Sequence, residues 1–126
     1  MSITIKSQIN PSIAGHADDH ITTEHELNTT PKNLLRAVKL LRQVRESNTR
    51  SYGNIGRGVC WIELDGVRLS YHAMAENDDL NSEIYQERLA DWKRDRWSYP
   101  KPATPSENAA DLIADVQSGK FVNHGR

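Results

Sequence analysis

Two residues, Asp65-Gly66, constrain this chain more than any others. They stand between two apolar-rich runs, and a two-residue type I′ turn needs positive φ at both central positions, which this dipeptide tolerates. Such a turn fixes register: Leu64 faces Val67, Glu63 faces Arg68, Ile62 faces Leu69, Trp61 faces Ser70, Cys60 faces Tyr71 and Val59 faces His72. One face then holds Leu64, Val67, Ile62, Leu69, Cys60 and Tyr71. The other carries the Glu63/Arg68 pair with Trp61, Ser70, Val59 and His72. A hairpin over 59–64 and 67–73 is therefore the predicted foundation of a sheet.

The flanking segments supply its cover. Ile3 and Ile5 alternate with polar residues, which predicts a short strand over 2–6, with room to continue to Ile9 before Asn10-Pro11 ends it. Residues 10–30 are polar and rich in histidine, threonine and acid, and are predicted to be a loop. Thr30-Pro31 opens a helix, with threonine as cap and proline at the first helical position. Between Lys32 and Glu46, Leu34, Ala37, Val38, Leu41 and Val44 share one face. A second helix is predicted after the capping residues in 76–79, with Ile84, Tyr85, Leu89 and Trp92 inward, ending near Arg96. Pro100 and Pro102 make 97–104 an extended connector. Thr104-Pro-Ser-Glu107 is a capping box for a third helix, with Ala109, Leu112, Ile113 and Val116 inward and Gly119 as its stop. Lys120 to Val122 adds an edge strand or a packed tail. The prediction is a single small α+β domain over 1–126: an antiparallel sheet of three or four strands covered by about three helices.

At 126 residues and 37% apolar content the chain has material for one modest core. One cysteine cannot form an internal disulfide, which suits a reducing, cytoplasmic setting. No apolar run approaches the roughly 18 residues that cross a bilayer, so no membrane partner is expected.

Charge is segregated along the chain. Residues 32–57 carry a net charge of +6 and residues 58–87 a net charge of −6. The positive block, with Arg36, Lys39, Arg42, Arg50 and Arg57, can meet phosphates or an acidic protein, or pair internally with the negative block. A second candidate is Trp92-Lys93-Arg94-Asp95-Arg96-Trp97-Ser98-Tyr99, which interleaves rings with cations as single-strand binders and protein interfaces do. Trp92 falls on the helix's apolar face and is assigned to packing; Trp97 and Tyr99 are the freer rings. His16, His20 and His25 with Asp18 and Asp19 have the composition of a zinc site, although Ala17 stands where a zinc helix would place glutamate. Gly53, Gly56 and Gly58 could shape a backbone anion nest. Cys60 lies on the apolar face with no base beside it.

No catalytic set is assembled by these residues, and no cofactor is implied. The expectation is a small binding or regulatory protein, of the inhibitor kind that phages and mobile elements encode, acting by stoichiometric contact with protein or nucleic acid. Self-association as a homodimer is allowed by the wide apolar arc of the first helix and by an open sheet edge. The alternative is a metal-dependent hydrolase built on His16, His20 and His25.

Overall fold

The computed structural model describes residues 2–10, 21–50 and 57–122, with side chains except at 7–10, 21–23, 46–50 and 57–59. It has a four-stranded antiparallel sheet of order β2-β1-β3-β4, with helices packed on one face. The strands are β1 (Ser2–Asn10), β2 (Ile21–Asn28), β3 (Arg57–Leu64) and β4 (Val67–Leu69). The α+β class and the sheet built on the Asp65-Gly66 hairpin are as predicted.

The turn behaves as its chemistry requires. Asp65 has φ 50° and Gly66 φ 82°, and the pairs Leu64/Val67, Glu63/Arg68 and Ile62/Leu69 form in the predicted register. The second strand then stops at Leu69, not 73. Ser70 leaves the ladder, and its hydroxyl accepts a hydrogen bond from the Ala73 amide at 3.1 Å. This caps a one-turn helix, α2 (Tyr71–Met74). The cross-strand pairs expected at Ser70, Tyr71 and His72 are therefore not made. Turning the chain here places Met74 in the core, fully buried.

β3 extends past the hairpin by pairing with β1 along its other edge. Ile3 lies opposite Leu64, and Ile5 opposite Ile62. These four side chains are all buried on one face of the sheet, while Lys6, Trp61 and Glu63 fall on the other by alternation.

The expected loop over 10–30 is corrected in its second half, because 21–28 is strand β2, paired with β1 from Ser2/Asn28 to Ile9/Ile21. Its Glu24-His25-Glu26 centre has little strand propensity. What holds it is the backbone ladder to β1, Leu27 opposite Ile3, and a Lys6–Glu24 contact at 3.7 Å. Residues 11–20 lie outside the described residues.

Helix α1 (Pro31–Arg50) starts as the sequence predicts: the Thr30 hydroxyl accepts from the Asn33 amide at 3.1 Å. Leu34, Ala37, Val38 and Leu41 are buried against the sheet. The helix runs past Glu46 to Arg50, since neither glycine nor proline interrupts it before Gly53. After α2 a 3-10 turn at Asp78–Leu80 buries Leu80. Asn81, not a residue of 76–79, then caps α3 (Ser82–Arg94), its side chain accepting from the Glu83 and Ile84 amides at 2.9 and 3.4 Å.

Helix α4 (Pro105–Gln117) carries the complete capping box between Thr104 and Glu107. It buries Ala109, Ile113 and Val116, packing against α1. It ends with Gly119 at φ 77°. The Lys120 amide bonds the Asp115 carbonyl at 2.9 Å and the Gly119 amide bonds the Val116 carbonyl at 3.2 Å, the paired closure of a Schellman motif. Phe121 folds back on the core as a tail, not as a strand.

Candidate functional site

The end of α3 builds an exposed aromatic turn. Asp95 closes the helix, its amide bonding the Asp91 carbonyl at 3.0 Å. Its carboxylate then accepts from the amides of Trp97 at 3.1 Å and Ser98 at 3.3 Å. The Ser98 side chain, and after it these amides, hold the Asp95 carboxyl below the usual aspartate range. The Tyr99 amide bonds back to the Asp95 carbonyl at 3.2 Å, completing the turn. Asp95 is thus committed to organising its own loop.

That loop projects Trp97 fully into solvent, the residue being 100% exposed, and leaves Tyr99 at 40%. The cations around them are arranged on rings. Arg96 stands 4.7 Å and Lys101 5.5 Å from the centre of Trp92, which is half-buried on α3. Arg94 lies 5.7 Å from Tyr99, donates to its hydroxyl at 3.5 Å and meets Asp91 at 3.1 Å. Lys93 is exposed and has no ion-pair partner among the described residues. Beyond Tyr99, a cleft of about 340 Å³ opens between α3 and the proline segment, bordered by Arg88, Asp91, Pro100 and Asn108. Arg88 is paired there with Asp79 at 2.8 Å.

The second predicted surface lies on α1. Lys32, Arg36, Lys39 and Arg45 are exposed, and among the described residues none of them meets a carboxylate. Three carboxylates of the acidic block are occupied elsewhere: Glu63 with Lys6 at 3.0 Å, Glu76 with His72 at 2.9 Å, and Asp79 with Arg88. Arg42 differs from its neighbours. Its Nε donates to the Ala75 carbonyl at 2.8 Å, tying α1 to the end of α2, and one of its terminal nitrogens is buried without a partner. Arg45 stacks over Tyr71 at 4.2 Å. Arg50 and Arg57 sit in α1 and β3, but their side chains lie outside the described residues, as do Gly53 and Gly56 of the expected nest. Among the described residues, the ion pairs, ring contacts and side-chain hydrogen bonds of 93–101 are all made within 91–101, so no such contact joins the two basic surfaces.

His25 is exposed on β2 opposite Ile5, while His16 and His20 lie outside the described residues. Among the described residues no group of three histidine, cysteine or acidic side chains is placed to hold a metal. Cys60 is half-buried against the core, and that burial pushes its thiol up from 9.0, away from thiolate.

The sequence places Trp61, Glu63 and Arg68 on one face of the hairpin, and the structure adds Lys6 to that outer sheet face. There Trp61 donates its indole N–H to Glu63 at 2.8 Å, Lys6 meets the same carboxylate oxygen at 3.0 Å, and Arg68 covers the Trp61 ring at 4.6 Å. The hairpin turn places Trp61, Glu63 and Arg68 together, but only the register of β1 against β3 adds Lys6. Compared with protein-family models, curated proteins and solved structures, the chain finds no match.

Proposed function

We propose that this is a non-enzymatic binding protein that acts by stoichiometric contact with a macromolecular partner, protein or nucleic acid, through the turn after α3. One observation carries the reading: Trp97 stands wholly in water, on a loop the chain fastens with Asp95, amid Lys93, Arg94, Arg96 and Lys101. Indoles are strongly enriched at contact hot spots. A chain spending its own hydrogen bonds to hold one outward is organised to present it. The exposed cations of α1 give a second positive area on the same molecule, available for long-range attraction. No helix is long and apolar enough to cross a membrane, among the described residues. Self-association belongs to the same proposal, with Leu40 exposed on α1 and β2 at the end of the sheet order; light scattering of the pure chain reports it.

The test is retention from extract of the native cell on immobilised full-length chain, beside the double variant Arg96→Ala/Trp97→Ala. The expected result is a partner held in fixed ratio by the unaltered chain and lost from the variant. Equal retention by both, or by neither, overturns the reading.

A further inference from the structure

The aromatic turn has a chemistry narrower than contact in general. We infer that its ligand is single-stranded nucleic acid, with an unpaired base stacked on the Trp97 indole and the surrounding cations on the adjoining phosphates. The inference rests on the proposed role of this turn as the contact surface.

Three features favour that ligand. First, Trp97 is exposed on all sides, so an open ring face is available. A base in a duplex has both faces covered by its neighbours, so an indole can stack only on one that is unpaired. Second, the local charge is left positive. Of the two carboxylates in 91–101, Asp95 is used by the amides of Trp97 and Ser98, and Asp91 meets Arg94. The cations Lys93, Arg96 and Lys101 have no carboxylate partner among the described residues. Third, Arg96 rests on the face of Trp92. A guanidinium stacked in this way keeps its in-plane N–H donors free, and those donors match the oxygens of a phosphate. Tyr99, two residues from Trp97 along the chain, is partly open at the rim of the cleft beside Pro100. A strand leaving Trp97 in that direction meets a second platform.

The test is titration of the full chain into labelled oligothymidine and oligouridine of about 15 nucleotides, near the upper end of single-site footprints, with a duplex of equal length as comparison. The single strands are expected to bind and to quench tryptophan emission, and the duplex to bind less tightly. Trp97→Ala should weaken binding about 5- to 150-fold, the range of one stacked base, while Trp97→Phe retains most of the affinity. With the three unpaired cations engaged, the logarithm of the association constant should fall against the logarithm of salt with a slope of about −2, and Arg96→Gln should reduce that slope by about 0.7. Equal affinity for duplex, or no change in Trp97→Ala, overturns the inference. So does failure to bind at low salt, and the extract experiment then decides how far the failure reaches. A nuclease-resistant partner still lost from the Arg96→Ala/Trp97→Ala variant means an acidic protein occupies the turn, and the contact reading survives. Loss of both removes the contact reading too.

Discussion

Helices α1 and α3 carry the same kind of apolar stripe and put it to different use. Leu34, Ala37, Val38 and Leu41 of α1 lie against β1, β3 and α4, and all are buried. Ile84, Tyr85, Leu89 and Trp92 of α3 likewise share one side of their helix, yet no residue of α3 is buried. The neighbours explain it. α1 is laid on the apolar face of a sheet; α3 touches the short Asp78–Leu80 turn, and its Trp92 is covered by the helix's own downstream cations, Arg96 and Lys101. Periodicity thus identifies the drier side of a helix but not the depth to which it sinks. The first helix holds the fold together, and the second carries a surface feature at its end.

The largest effects that could break this contrast are in the core. Leu34→Ala or Ile62→Ala should each cost about 2–5 kcal/mol, the range for emptying a fully buried aliphatic site. Leu89→Ala on α3 should cost about 1 kcal/mol, because its side chain is only partly buried. Urea midpoints at constant slope measure all three. A loss at Leu89 as large as at Leu34 would mean that α3 is part of the core after all.

Smaller effects belong to the local devices that set the frame. Gly66→Ala should cost about 1 kcal/mol by strain at φ 82° alone, since nothing lies near the added methyl. Thr104→Ala should cost about 1 kcal/mol by removing the cap of α4. Both are read as shifts of the same urea midpoint.

These devices were legible in the sequence because their parts lie within a few residues of one another: Asp65 beside Gly66, Thr30 before Pro31, Thr104 three residues from Glu107. What was not legible depends on distant pairing or on a competition between neighbours. Strand β2 follows from the ladder that β1 offers, which Glu24-His25-Glu26 does nothing to advertise. β4 ends at Leu69 because Ser70 caps a helix that delivers Met74 to the core, a gain invisible from strand alternation. At the candidate site the interleaving of rings and cations was readable. That α3 stops at Arg94, so that Asp95 can organise a turn and project Trp97, depends on which acceptor the Trp97 and Ser98 amides find.

On the outer sheet face the contrast can be sharpened with pH. The hydrogen bond from Trp61, followed by that from Lys6, holds the Glu63 carboxyl below its ordinary 4.5, and Glu63 in turn raises the Lys6 ammonium above 10.5. The Glu63 contribution is therefore complete above 4.5 and lost as pH falls through its lowered value in the fold. The Lys6 contribution is complete below 10.5 and lost as pH rises through its raised value. Glu63→Gln should flatten the acid limb of melting temperature against pH by a small amount, because the pair is still partly reached by water and screened. An unchanged acid limb would mean that the contact contributes nothing to folding.

The smallest expected effect is also the most discriminating. Trp97→Ala should leave stability within about 0.5 kcal/mol of the unaltered chain, because the indole touches nothing and the turn is held by the Asp95 carboxylate through backbone amides that the variant keeps. Asp95→Ala should act in the opposite sense, keeping the indole while loosening the turn that aims it. Iodide quenching separates the two. Trp61 and Trp92 are half-covered, so Trp97→Phe should remove most of the quenchable emission. Asp95→Ala should leave the indole quenchable and raise the mobility seen in its fluorescence anisotropy. If Trp97→Ala instead lowers the urea midpoint as a core substitution does, the ring packs in solution, and the division between a helix that builds the fold and one that displays a contact is wrong.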